Sequence, residues 1–155
     1  MQLCVWMAAW QMECCGTSFR EGDKVSWRLR HPHSAELAWL DTVLHDGAAA
    51  TVNAIEDHHG DPDAPLTEGT VISIATLHCR FEPEPVAGSG LVTAVVTAEK
   101  WNDDLDERHL AGFLIRILAL DSAGSQDGFS INALSSARVR SAIRHPLSVR
   151  RSPNV

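Results

Sequence analysis

Residues 23–30 read Asp-Lys-Val-Ser-Trp-Arg-Leu-Arg, with apolar side chains at every second position from Val25 to Leu29. Successive side chains of an extended strand point to opposite faces. Val25, Trp27 and Leu29 therefore share one face, and Lys24, Ser26, Arg28 and Arg30 take the other. A helix would scatter these residues around its surface. A period of two demands a sheet with one buried side.

Other segments repeat the demand. Thr70–Phe81 is dense in β-branched residues and is stopped by Pro83 and Pro85. Gly88-Ser89-Gly90 turns the chain into a strand over Leu91–Thr97. In Phe113–Leu120, Phe113, Ile115 and Ile117 form one face and Leu114, Arg116 and Leu118 the other. A mostly apolar second face suits a central strand or one covered by a helix. Leu3–Met12 reads as a first strand and Ala50–Asp57 as another, and Glu21-Gly22-Asp23 supplies a turn. One helix is expected over 35–45, with Ser34 as its cap, Glu36 in its first turn and Leu37, Leu40 and Leu44 as its apolar stripe. Gly47 is suited to end it. The expected fold is mainly β: a small antiparallel barrel or strongly bent sheet of five to six strands with one short helix. A two-layer α+β sheet is the alternative. Val25, Trp27, Leu29, Ile72, Ile74, Val95, Phe113 and Ile115 are the expected core.

Charge divides the chain. All 20 acidic residues lie at or before Asp127, with 8 of the 13 Lys and Arg, so residues 1–127 carry 8 − 20 = −12. Residues 128–155 carry five Arg and no acid, or +5. We expect a single β-rich domain over 1–127 and a basic, largely mobile tail over 128–155. An acidic body disfavours nucleic acid as a partner and leaves a protein partner open. No apolar run approaches the roughly 18 residues of a spanning helix. The first residues lack a charged segment before an apolar block. A soluble cytoplasmic protein with no membrane association is expected.

Cys4, Cys14, Cys15 and Cys79 do not have the spacing of a disulfide-stapled domain, and free thiols are expected. Thiolate and imidazole suit Zn²⁺. The candidate ligands are Cys14, Cys15, His58, His59 and Cys79. Adjacent strand residues diverge, so only one of Cys14 and Cys15 should reach a given ion unless Gly16 bends the chain. The acidic pairs, Glu56-Asp57 among them, read as solvated loops. Trp27 and Trp39 fit core positions, and Trp6, Trp10 or Trp101 are candidates for an exposed patch that binds a partner or small ligand. A carboxylate and a histidine in an apolar-walled pocket would strengthen an enzymatic reading. No nucleophile elbow, phosphate loop or dinucleotide fingerprint occurs.

The pieces Trp10-Gln11-Met12, Cys14-Cys15-Gly16 and Phe19-x-x-Gly22-Asp23-x-Val25-x-Trp27 resemble the opening of a family of small actinobacterial proteins, a domain of unknown function. His58-His59-Gly60, Gly69-Thr70-Val71 and Cys79-Arg80-Phe81 are similar to a second stretch of it. The resemblance implies no activity, substrate or cofactor. The residues favour a non-enzymatic binding or regulatory β-barrel module acting on a protein partner. The alternative is a small zinc-binding protein with a structural, sensory or hydrolytic Cys/His site.

Overall fold

The computed structural model describes residues 1–45 and 47–120. The tail expected over 128–155 lies outside the described residues. The elements are β1 (Gln2–Ala8), α1 (Ala9–Cys15), β2 (Phe19–Arg20), β3 (Lys24–Arg30), α2 (Ser34–Val43), a 3₁₀ turn (Ala48–Thr51), β4 (Ala54–Glu56), β5 (Leu66–Cys79), β6 (Leu91–Val95), β7 (Thr97–Ala98) and β8 (His109–Ala119).

Five strands close on themselves in the order β3-β4-β1-β8-β5, and β5 returns to β3. The fourteen-residue β5 makes this possible. Its first part pairs with β3 (Trp27 opposite Thr67), its second part with β6 (Thr76 opposite Thr93), and its other edge with β8. Closure leaves the barrel strands no open edge. The barrel is mixed rather than wholly antiparallel, because β4 runs parallel to β1 (Val5 opposite Ala54, Trp6 opposite Ile55). The connection from β3 to β4 makes α2 and the 3₁₀ turn on the way.

Alternation sorts the side chains into two cores. Val5 and Met7 of β1 and Phe113, Ile115 and Ile117 of β8 fill the barrel with Val71, Ile74, Met12 and Phe19. Trp6, Ile55, Leu77 and Cys79 point outward and are covered by Leu40, Val43 and Leu44 of the α2 segment. Leu114 packs on this second core, so the second face of β8 is covered there, whereas Leu118 on the same face is exposed. Of the expected core, Ile74, Phe113 and Ile115 are buried, while Val25, Trp27, Leu29 and Val95 are partly buried. Ile72 is 45% exposed, at an irregularity in the β5–β8 register between Val71 and Ser73.

Among the described residues there are two short α-helices rather than one. Leu3–Met12 does not run on as a strand: it turns into α1 at Ala9. His33, not Ser34, caps α2. The His33 side chain accepts from the backbone of Glu36, whose carboxylate accepts from the His33 N–H at 2.8 Å. No helix among the described residues is long and apolar enough to cross a membrane.

Candidate metal centre

Two short segments build the site. The first is α1. Met12 is 1% exposed in the barrel core and anchors the helix. Gly16 closes it, its N–H donating to the carbonyls of Gln11 and Met12 at 3.1 and 3.0 Å. A Cβ on Gly16 would lie 2.4 Å from the Met12 sulfur and 2.7 Å from its Cα, so only glycine fits there. The last turn carries Cys14 and Cys15, both exposed free thiols.

The second segment is the turn after β4, Asp57-His58-His59-Gly60, closed by a bond from the Gly60 N–H to the Asp57 carbonyl at 3.1 Å. Gln11 fastens it to α1. Its Nε2 donates to the Glu56 carbonyl at 2.6 Å, and its Oε1 accepts from the His58 N–H at 3.0 Å. One buried amide side chain thus satisfies both backbone groups of the departing strand.

This clamp brings His59 to the cysteines. The Cys14 and Cys15 sulfurs face each other at 2.6 Å, and Nε2 of His59 is 3.5 Å from the Cys15 sulfur. All three donor atoms lie within 4.8 Å of one another. Trp10 stacks on the His59 ring, with centroids 5.4 Å apart and planes inclined by 18°. The His58 ring meets His59 edge-on at 5.3 Å. Hydrogen bonding with Cys14 holds the Cys15 thiol above its ordinary value. This disfavours a ready-made thiolate nucleophile.

The expected ligands therefore separate. Cys14, Cys15 and His59 converge, and His58 stands beside them. Cys79 is fully buried in the α2-covered core, where burial pushes its thiol up. Both cysteines reach one place because they end a helix rather than lie on a strand.

Beside the cluster opens a cleft of about 450 Å³. Met7, Met12, Phe19, Val25 and Trp27 give it apolar walls, and Gln11, Cys15, Glu56 and His58 give it polar groups. Glu56 is 4% exposed, so it belongs to no solvated loop. Burial pushes its carboxyl up to about 7 from an ordinary 4.5; the Asp57 charge adds to the rise, while the His58 amide and Arg28 oppose it. Sequence patterning hid this residue within an acidic pair. The available signal was its place directly after Ala54-Ile55 in a strand buried on both faces.

Residues 1–119 match the family of unknown function DUF6578, and the chain belongs to that family. No curated protein and no solved structure matches it.

Proposed function

We propose that this chain is a small zinc-binding barrel in which Cys14, Cys15 and His59 hold the ion. The convergence of two thiols and one imidazole within 4.8 Å carries the reading. With Zn–S near 2.3 Å and Zn–N near 2.05 Å, a tetrahedral ion places sulfur and nitrogen about 3.6 Å apart. The Cys15–His59 separation is 3.5 Å. The two sulfurs must part by about 1 Å to reach the corresponding distance, and exposed thiols are free to rotate. Three protein donors leave the fourth position open, as in zinc sites that exchange or activate a ligand.

The site is not a structural staple. The donors are exposed, and both hydrophobic cores close without them. An ion held there serves sensing, exchange or chemistry beside the Glu56 cleft. This reading takes precedence over a module that docks a protein through its acidic surface. Acidity is a general property of surfaces, whereas a Cys/Cys/His cluster is a specific constellation.

Metal analysis of the purified chain tests it. About one zinc per chain is expected, lost in Cys14→Ser, Cys15→Ser and His59→Ala, and retained in Cys79→Ala. The melting temperature should change little when a chelator removes the ion. Metal-free protein that does not take up added zinc, or zinc retained by all three site variants, overturns the proposal.

A further inference from the structure

Three of the five tryptophans meet in a groove on the outside of the barrel, independently of the metal reading. Trp6 comes from β1, Trp10 from α1 and Trp39 from α2, and Glu36 and small alanines, Ala8 among them, complete the lining. The rings of Trp6 and Trp39 lie 5.8 Å apart, tilted by 40° rather than stacked. Trp6 is seated on β8 because Gly112 has no side chain: a Cβ there would come within 2.6 Å of the indole. Trp10 is propped against His59 and remains 56% exposed. A ring of that size left half in water, beside the partly buried Trp39 and over the buried Trp6, gives the groove an aromatic wall. The groove measures about 360 Å³, within the range of about 300–1,000 Å³ typical of small-molecule sites.

Its charge is of one sign. No Lys or Arg lines it, and the ionised group that does is the Glu36 carboxylate. Arg30 binds Glu36 through both terminal nitrogens, at 2.8 and 2.5 Å, and Asp57 through Nε at 3.1 Å. One guanidinium thus serves two carboxylates, and the trio keeps a net charge of −1. The −12 of residues 1–127 adds long-range attraction for cations. Metal ions such as Ca²⁺ and Mg²⁺ need several oxygen ligands, which the groove does not offer. A soft organic cation needs aromatic faces and a nearby negative charge, and both are present.

We infer that the groove binds a quaternary or methylated ammonium group between Trp10 and Trp39, over the buried Trp6, and steadied by Glu36. Choline and its uncharged carbon isostere, 3,3-dimethylbutan-1-ol, separate this from plain apolar binding, because the two differ only in the charge of the headgroup. Each is titrated into the full chain while tryptophan fluorescence is followed. Saturable binding of choline at least about tenfold tighter than of the alcohol is expected. Trp10→Ala and Glu36→Gln should each weaken it severalfold, and Trp101→Ala, which alters an exposed ring outside the groove, should not. Gln at position 36 preserves the capping arrangement of α2, so that variant tests charge without unfolding the helix. Equal affinity for the two probes, no saturable choline binding, or choline binding unchanged in a folded Glu36→Gln chain overturns the inference.

Discussion

Replacing Glu56 by Gln should stabilise the chain at high pH and hardly at all at low pH. The carboxyl is held at about 7 in the folded chain against an ordinary 4.5. Between those values the folded chain keeps a proton that the unfolded chain has released. Stability therefore falls as pH rises from about 4.5 to about 7, and the full penalty is present above 7. At about 1.36 kcal/mol per pH unit, the whole penalty is about 3 kcal/mol, of which about 2.5 kcal/mol falls between pH 5 and pH 8. Gln carries no such penalty at either pH. Urea denaturation of both chains, with a chelator present to keep zinc out of the neighbouring site, measures the difference directly. The gap between the two midpoints should widen by about 1–2 M urea from pH 5 to pH 8. Comparing the two chains at each pH cancels every titration they share. A gap equal at the two pH values would refute the buried, proton-holding carboxyl.

Phe113→Ala should cost about 3–5 kcal/mol in the same assay, because Phe113 is fully buried inside the barrel. Trp27→Ala should cost less, about 1–3 kcal/mol, since Trp27 is only partly buried and meets Phe19 edge-on at 5.1 Å; equal costs would place Trp27 in the core after all. Gln11→Ala should destabilise the chain by about 1–3 kcal/mol, because the Glu56 carbonyl and the His58 N–H both lose their partner. It should also weaken zinc binding without removing a ligand, which a zinc titration of the folded variant will show.

Strands were legible where one face is wet and the other dry. Lys24–Arg30 and the Phe113–Ile117 register follow directly from side-chain alternation. Barrel closure was legible only as a general need to hide edges, because the pairing of Trp27 with Thr67 depends on contacts forty residues apart. The parallel β1–β4 pair left no local trace, and β4 itself is three residues long. The short helix α1 was missed for a physical reason. Its N-cap, Ala8, makes no side-chain cap bond, and no acidic residue stands in its first turn. Its helicity comes from tertiary contacts, chiefly the burial of Met12 and the bonds of Gln11. At the site, residue chemistry named Cys14, Cys15, His58, His59 and Cys79 together, and only the fold brought Cys14, Cys15 and His59 to one place and set Cys79 and Glu56 apart. Cys79 proved to be a small core residue, and Glu56 proved to be buried.

The seven residues of α1, the first four of which read as the end of a strand, are the ones on which both proposed sites depend, and a strand could not serve them. A strand offers two faces, so Trp10, Met12 and Cys14 would share one, and Gln11 and Cys15 the other. A helix turns about 100° per residue and brings back to one side only residues three or four apart. Trp10 and Cys14 are four apart, and one stacks on His59 while the other joins it in the thiol–imidazole cluster. Gln11 and Cys15 are also four apart, and both line the cleft with Glu56 and His58. Met12 points a third way, into the barrel, and fixes the helix to the core. Three demands in three directions are met in under two turns, and Gly16 ends the helix once the second cysteine is in place. The Trp-Gln-Met-x-Cys-Cys-Gly run is thus one device: an anchor, a clamp, an aromatic prop and two donors, whose spacing makes sense only at 3.6 residues per turn.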